Sequence, residues 1–437
     1  MQVIDLFEFD EYKKLSNTEL VLGLKSYLEE VWESRKRYGT ILNEDDEIDE
    51  VSEEEEAVWK RNKQRFLSFD GAFIRARNYV GVIQYKGVRI NIYPKICNGI
   101  PQNTILSQVL YWLGYSKRVM FPFSQVPLSH DSFEDWLEAF IFLFAHYSEE
   151  TLSSQPYQAY QGITEETPFL RGRLAIPQYI QANVITGRQQ YFHCTYEPFV
   201  YDNQFNHIVK YVTRLLLSVS QNKASIDKLH ELLFLLDEVS DIHCQAPDCD
   251  LVKLNPLYQD LSVILEMCRL FLSSSSINQN DFSNANFCFL LPMEVIFEDF
   301  IFGFIERHYP ERNPKSQTKA FLASNDNDKD VFEIKNDIIL QNPCLIIDTK
   351  YKIRDKTDNK KGVAQVDMYQ MVAYALRRKI HQVLLIYPNA NGKEASVDTF
   401  TVTIPMDSHC NIIIKAMDVN INTQFDEDIK KQLVFER

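Results

Sequence analysis

Regions of the chain differ in how apolar and polar positions alternate. Residues 73–96 alternate apolar and polar side chains, with breaks at Gly81 and Gly87, which is typical of a β-hairpin or small β-domain. Residues 204–220 instead space their apolar side chains as an amphipathic helix does. The pattern predicts an α+β chain with an N-terminal β-rich domain (1–104), a mainly helical middle region (105–285) and a C-terminal mixed-sheet domain (286–437).

Two predicted helices of the middle region have recognisable ends. Asp202 and Asn203 carry side chains that cap helices, and they directly precede the stretch 204–220. Another helical stretch, residues 258–276, ends in the serine run 273–276, which predicts a linker.

The C-terminal region predicts the order α-β-β-β-α-β with one further strand. Asp326, Asp328 and Asp330 resemble the start of a calcium loop, but the sixth position is not glycine, so an ordinary hairpin turn is expected. The predicted helices lie at 292–309 and 366–378, and the predicted strands at 319–324, 330–340, 344–352, 382–388 and 398–405.

Composition describes a globular protein and excludes several classes. The 437 residues, 45% hydrophobic and 24% charged, allow two or three buried cores. The N-terminus is charged, unlike a secretory leader, and no apolar run approaches the roughly 18–20 residues of a membrane span. We therefore expect a cytoplasmic protein without a membrane partner. The cysteines are scattered, and only His243, Cys244 and Cys249 suggest zinc, without a second pair to complete four ligands.

The net charge of −15 is unevenly distributed. Residues 44–56 hold ten acids and predict a solvated acidic loop or helix start. Residues 350–361 hold six basic and two acidic residues, so they can either contact phosphates or form a solvated surface loop. Overall charge therefore does not exclude nucleic acid as a partner.

The residues that indicate chemistry surround the segment CLIIDTKYK, 344–352. Alternate side chains of a strand share a face, so Asp348 and Lys350 become neighbours, although a lone D-x-K also occurs by chance on solvated edge strands. Asp337 lies on the preceding strand, about 4.8 Å away in a hairpin, so both carboxylates can converge on one cation. Two carboxylates suit Mg²⁺, with Mn²⁺ as an alternative, and a nearby lysine can orient water or neutralise charge. The set predicts metal-assisted phosphodiester hydrolysis.

Two helices offer further candidates. Glu298 lies one turn after Glu294 and is either an additional metal ligand or a carboxylate on the helix surface. Gln370 and Tyr374 are also one turn apart. Gln370 can reach the lysine or a backbone phosphate, whereas Tyr374 is expected in the core.

Together these motifs resemble the PD-(D/E)xK nuclease superfamily, and the wider sequence resembles McrC, the nuclease subunit of McrBC-type modification-dependent restriction systems. The resemblance implies that Asp337 and Asp348 are the catalytic and metal-binding acids, Lys350 the catalytic lysine and Gln370 the glutamine of a Q-x-x-x-Y element. It extends a metal-binding role to Glu298. Asn336 stands where the motif name has proline, which supplies no ligand. The matching blocks are FLRGRLAI, YDNQFNHIVKYVTRLLL, MEVIFEDFI, NDIIL, LIIDTKYK, DMYQMVAYAL and LLIYP.

The resemblance also implies partners. McrC-like proteins work with McrB, an AAA+ GTPase that translocates on double-stranded DNA, and they stimulate its nucleotide hydrolysis. This chain contains no G-x-x-x-x-G-K-[ST], so the motor must be another subunit. The resemblance thus implies a Mg²⁺-dependent DNA endonuclease subunit of a GTP-driven complex. Two alternatives stay open, a non-catalytic activator of the AAA+ partner and a free-standing repair or recombination nuclease.

Overall fold

The computed structural model describes residues 2–15, 17–38, 64–116, 118, 136–160, 162–254, 258–276, 286–325, 329–389, 395–404, 411–433 and 435. The acidic run 44–56 and the turn residues Asp326 and Asp328 lie outside these ranges. The chain divides into two compact units. One contains residues 1–139, 274–276 and 286–437, and the other contains residues 140–273.

Helices occur in both units, and most follow the predicted periodicity. Asn203 caps its helix as predicted, because its side chain accepts a hydrogen bond from the backbone N–H of Asn206. The helices are Thr18–Tyr38 (α1), Gln102–Leu113 (α2), Trp136–Ser154 (α3), Ile176–Tyr179 (α4), Gln204–Val219 (α5), Lys223–Leu235 (α6), Gln259–Ser274 (α7), Met293–His308 (α8), Gln365–Arg378 (α9) and Asp426–Gln432 (α10).

The N-terminal part of the first unit contains two sheets. The strands are Gln2–Phe7 (β1), Lys13–Lys14 (β2), Leu67–Asp70 (β3), Phe73–Ala76 (β4), Tyr79–Tyr85 (β5), Val88–Tyr93 (β6), Ser275–Ser276 (β12) and Asn286–Pro292 (β13). The larger sheet has the strand order β1-β6-β5-β13-β12, in which only β1 and β6 are parallel, and the smaller has the order β2-β4-β3. The predicted hairpin is confirmed as β5 and β6.

The second unit is mainly helical, as predicted, and carries two small antiparallel sheets. Its strands are Ala159–Tyr160 (β7), Ile163–Thr167 (β8), Arg173–Leu174 (β9), Phe192–Tyr196 (β10) and Phe199–Val200 (β11), with β10 between β8 and β9, and β7 paired with β11.

The C-terminal sheet holds the predicted chemistry. Its order is β14-β15-β16-β17-β19-β18, with β16, β17 and β19 parallel and the remaining pairs antiparallel. One face packs on α9 through a core that includes Ile346, Met371 and Leu385. The strands are Lys315–Ser324 (β14), Asp330–Gln341 (β15), Cys344–Thr349 (β16), Gln382–Pro388 (β17), Ser396–Thr403 (β18) and Asn411–Val419 (β19). This mixed sheet confirms the predicted α+β class.

Two expectations for individual segments were wrong or incomplete. The serine run predicted as a linker ends α7 and then forms β12, since backbone pairing with β13 needs no apolar side chain. Strand β19 was not predicted, yet it lies between β17 and β18. Strand β13, from the predicted C-terminal domain, pairs with β5. The division into three domains stays a prediction.

No helix within the described ranges is long and apolar enough to cross a bilayer.

Candidate active site on the C-terminal sheet

Backbone pairing of β15 and β16 brings the two predicted acids together. Ile338 pairs with Ile347 and Ile339 with Ile346, so Asp337 and Asp348 take the next opposed positions along the hairpin. Thr349 then fixes the first acid, because its backbone N–H and its hydroxyl both donate to Asp337 Oδ2, at 2.7 and 2.8 Å. Sequence reasoning did not identify Thr349, although its place between the acid and the lysine was visible.

Asp348 is a buried carboxylate with few partners. Only 2% of the residue is exposed, and its Oδ2 lies 3.1 Å from Lys350 Nζ. No hydrogen bond of suitable angle reaches this oxygen from the part of the chain that the structure describes. Burial raises the pKa of the Asp348 carboxyl, and repulsion from Asp337 raises it further, while Lys350 offsets only part of the effect. A buried carboxylate that has one ion pair and no well-aligned hydrogen bond on this oxygen is costly, and the oxygen can accept a further ligand.

Lys350 lies one residue beyond the end of β16, and its backbone N–H donates to Ile386 O at 2.9 Å. Its Nζ also donates to Gln370 Oε1 at 3.1 Å, and Gln370 Nε2 donates to the Tyr374 hydroxyl at 2.8 Å. Burial alone would lower the pKa of Lys350, but the surrounding carboxylates outweigh burial and raise it, so the amine stays charged. Helix α9 thus orients the lysine through the predicted glutamine, and Tyr374 is buried as predicted.

Asp367 is a further acid near the lysine that sequence reasoning missed. It lies in the first turn of α9, is buried, and accepts a hydrogen bond from the Tyr387 hydroxyl at 3.5 Å. Its charge adds to the rise in the pKa of Lys350. Its position three residues before Gln370 places it on the same helix face, which is a signal that the sequence offered.

Glu298 lies on α8 and is engaged by cationic and amide groups. Arg118 Nη2 lies 2.8 Å from Glu298 Oε1, and the Gln317 amide also donates to this oxygen. Burial raises the pKa of Glu298, and repulsion from Asp337 raises it further, so the two carboxylates influence each other. Glu294 instead accepts a hydrogen bond from Asn78 at 2.8 Å. The metal-binding role of Glu298 stays a prediction.

Backbone strain marks the strand beside this acid. Gln317 has a φ of +52°, a left-handed conformation that residues other than glycine rarely adopt. Ser316 pairs with Ile338 and Thr318 with Asn336, so Gln317 lies opposite Asp337. Such strain is concentrated at functional sites in proteins. Gln317 gave no sequence signal, because φ depends on the sheet register.

Asn336, at the position of proline in the motif name, is fully buried beside Asp337. Its side-chain oxygen accepts a hydrogen bond from Arg378 Nε at 3.0 Å, and Arg378 also donates to Thr318 O at 2.8 Å. The asparagine therefore ties β15 to α9.

The aspartates suit a hard divalent cation. Both offer carboxylate oxygens, and Asp348 Oδ2 is buried without a hydrogen bond from the described residues. Within the described ranges, no three His, Cys, Asp or Glu side chains form a ready-made metal site. The fit therefore depends on Asp337 and Asp348, and Mg²⁺ can be bound through one or two protein carboxylates with water completing its shell.

The zinc alternative gains no support. Cys244 and Cys249 are buried, and burial raises the pKa of both thiols to about 12. These thiols are therefore best described as small apolar core residues.

The fold and the site together define an α+β protein that places two acids, a lysine and a glutamine at one end of a mixed sheet. A family model described as McrBC 5-methylcytosine restriction system component matches residues 74–388, and the chain belongs to that family. The resemblance to McrC-like subunits is thereby confirmed. No curated protein matches the chain.

Solved structures share the fold. A chain of the refined half-complex from the tetradecameric assembly of Thermococcus gammatolerans McrB AAA+ hexamers with bound McrC aligns with a TM-score of 0.68 and 16% identity, over 98% of this chain and 100% of that chain. A chain of the Thermococcus gammatolerans McrBC complex aligns with a TM-score of 0.51 and 19% identity, over 70% of this chain and 88% of that chain.

Proposed function

We propose that this protein is the Mg²⁺-dependent DNA endonuclease subunit of a GTP-driven, McrBC-like restriction complex. The observation that carries the proposal is the convergence of Asp337, Asp348 and Lys350 at one sheet end in a chain of the McrBC family. The reaction is hydrolysis of a phosphodiester bond in double-stranded DNA, with the chain also stimulating GTP hydrolysis by an AAA+ partner.

Each side chain has a distinct proposed role. Asp337 and Asp348 would hold the metal, and Thr349 keeps Asp337 in place. Mg²⁺ bound there would supply positive charge to polarise the phosphate and favour ionisation of water. Lys350 stays protonated near the aspartates and stabilises negative charge that grows on the phosphate, while Gln370 orients its amine.

An AAA+ GTPase is the proposed partner. One similar structure is an assembly of McrB AAA+ hexamers with bound McrC and another is an McrBC complex, and this chain has no P-loop sequence of its own. Location in the cytoplasm, where such a complex would meet foreign DNA, stays a prediction.

Reconstitution tests the proposal. The chain would be mixed with the AAA+ protein encoded beside it, and plasmid cleavage followed with Mg²⁺ and either GTP, ATP or no nucleotide. We expect cleavage only when partner, GTP and Mg²⁺ are all present. Cleavage by the chain alone would favour a free-standing nuclease, and GTP stimulation without cleavage would favour a non-catalytic activator.

Separation of the two activities sharpens this test. Asp337→Ala removes one proposed metal ligand, so it should abolish cleavage while GTP turnover by the partner is still stimulated. Asp428→Ala, which changes an exposed aspartate on α10, serves as the matched control and should retain both activities. Loss of stimulation in a folded Asp337→Ala protein would contradict the separation.

A further inference from the structure

Tyr351 follows the proposed catalytic lysine directly and is anchored far away in the sequence. It is 3% exposed, and its hydroxyl donates to Glu8 Oε2 at 2.7 Å. Glu8 follows β1 in the N-terminal sheet, so this hydrogen bond joins that sheet to the end of β16 within one compact unit.

Glu8 is itself held in a defined position. It is 2% exposed, its carboxylate accepts the backbone N–H of Lys95 at 3.0 Å, and its own N–H donates to Tyr93 O at 3.0 Å. Lys95 Nζ lies 4.5 Å from the centre of the Tyr351 ring. Burial of a carboxylate costs free energy of folding unless the group is hydrogen-bonded and near positive charge. If packing were the only requirement at position 8, a leucine would stabilise the fold more than Glu8 does.

Backbone hydrogen bonds around Tyr351 connect its position to that of Lys350. The N–H of Lys352 donates to Lys350 O at 2.8 Å, which makes Tyr351 the central residue of a γ-turn. The N–H of Lys350 is held by Ile386 O at 2.9 Å. Lys350 is therefore fixed by β17 on one side and by the turn on the other, and Tyr351 sets where the turn lies.

The same ring also reaches the helix that carries the third acid. Tyr351 packs against Phe297, with ring centres 5.9 Å apart, and Phe297 directly precedes Glu298 on α8. The tyrosine thus follows the end of β16 closely along the chain and packs against α8, the two elements that border the site.

We propose that Glu8 and Tyr351 are positioning residues, through which the N-terminal sheet holds Lys350 in its productive orientation. The inference deepens the proposed nuclease function and depends on it for its kinetic consequences. It assigns the N-terminal sheet a part in the chemistry, since a displacement of about 1 Å at a reacting group can cost roughly 100-fold in rate.

The kinetic test uses the full chain in the reconstituted complex. Tyr351→Phe removes only the hydroxyl, and we expect the single-turnover cleavage rate to fall about 10- to 100-fold with an unchanged KM for DNA. Glu8→Ala should show at least the same loss, because it also removes the acceptor of the Lys95 N–H, whereas Glu8→Gln keeps an acceptor oxygen and should retain most of the rate. The double variant Glu8→Ala/Tyr351→Phe should be no slower than Glu8→Ala alone, because both changes remove the same Tyr351–Glu8 hydrogen bond.

The matched control is Tyr111→Phe. It removes a hydrogen bond of 2.6 Å from a tyrosine to Asp426 elsewhere in the same unit. It should lower thermal stability by an amount comparable to Tyr351→Phe and leave the cleavage rate unchanged. Wild-type cleavage by Tyr351→Phe, or rate losses that multiply in the double variant, would overturn the proposal.

A second readout does not require cleavage. Reductive methylation of Lys350, followed by mass spectrometry on the chain alone, reports how firmly its amine is held. Methylation should be faster in Tyr351→Phe than in wild type and unchanged in Tyr111→Phe. Equal methylation in wild type and Tyr351→Phe would overturn the positioning role, whereas absence of cleavage in wild type with faster methylation in Tyr351→Phe would overturn only the nuclease assignment.

Discussion

Asp348 and Asp418 lie in the same sheet and are equally buried, with 2% of each residue exposed, but their surroundings differ. Asp418 accepts hydrogen bonds from Arg354 Nε at 2.6 Å and Nη2 at 2.8 Å, and a third from Ser396 Oγ at 2.8 Å. Asp348 has Lys350 at 3.1 Å, and its Oδ2 receives no hydrogen bond from the described chain.

The two pKa values move in opposite directions for this reason. Burial pushes the pKa of both carboxyls upward. Hydrogen bonds from Arg354, Lys356 and Ser396 reverse the effect at Asp418 and lower its pKa, whereas burial and Asp337 together raise that of Asp348. A fully satisfied buried acid stabilises the fold, while an unsatisfied one is available to a ligand.

The largest effect should come from removing the unsatisfied acid. Asp348→Ala deletes a proposed metal ligand, so plasmid cleavage by the reconstituted complex should fall at least about 100- to 1,000-fold. The melting temperature should change little, because removal of a carboxyl whose burial is costly offsets the loss of its ion pair with Lys350 at 3.1 Å. Lys350→Ala should lose cleavage similarly, and Lys431→Ala, at an exposed lysine, should behave as wild type. A wild-type cleavage rate for Asp348→Ala would contradict the comparison with Asp418, because Asp348 would then not bind a required ligand.

Loss of the partner of Asp418, the acid with several hydrogen bonds, should instead lower the stability of the fold. Arg354→Met leaves Asp418 buried without its main partner, so the free energy of unfolding, measured by urea titration, should fall by about 3–5 kcal/mol. Arg188→Met breaks an exposed pair with Glu166 and should change it by less than about 1 kcal/mol. Equal effects of the two substitutions would mean that Asp418 is not held by Arg354.

Low pH should also reduce the stabilisation that Asp418 and Arg354 provide, by less than Arg354→Met does. The folded-state pKa of Asp418 lies below its ordinary value of 3.8, so its contribution is present above that pH and is lost as the pH falls through the folded value. Each unit of pKa difference corresponds to about 1.4 kcal/mol. Melting temperatures between pH 5 and pH 2 should therefore fall more steeply in wild type than in Asp418→Asn. Parallel curves would contradict the lowered pKa.

These contrasts also show what the sequence could reveal. Asp337, Asp348, Lys350 and Gln370 could be placed together because a short hairpin connection and one helix turn bring them close, which are local rules. Their chemical roles stay predictions. Arg118 could not be found, because its contact with Glu298 joins residues 180 positions apart.

In the fold, too, elements with a strong local pattern could be predicted and contacts between distant residues could not. Helices with strong periodicity were identified. Strand β19 was missed, although its run Ile412–Ile414 is β-branched and it pairs with the preceding strand β18; only its parallel pairing with β17 has no local signal. Its buried Asp418 is unusual in a central strand and is tolerated only because Arg354, 64 residues away, pairs with it. The sequence predicts Arg354 within a basic loop that either contacts phosphates or is solvated, whereas the structure buries it.

The smallest expected effect concerns that loop, residues 350–361, whose basic residues do not all face solvent. Arg354 is buried against Asp418, and Lys356 also contacts Asp418, so neither is available to phosphates. Lys360 is exposed, and its Nζ donates a hydrogen bond to the uncharged side-chain amide of Gln365 at 3.2 Å.

Lys360→Gln should therefore reveal whether the loop contacts DNA at all. If it meets one phosphate, the slope of log affinity against log salt should become shallower by about 1, because one fewer counterion is released, while cleavage at saturating DNA stays unchanged. Fluorescence anisotropy of a labelled duplex with the reconstituted complex, across a salt series, would measure this slope. Lys431→Gln removes an exposed lysine charge from α10, where it pairs with Asp428, and should leave the slope as in wild type. An unaltered slope in Lys360→Gln would identify the loop as solvated surface. The basic residues Arg354 and Lys356 would then contribute to the fold, through Asp418, and not to DNA binding.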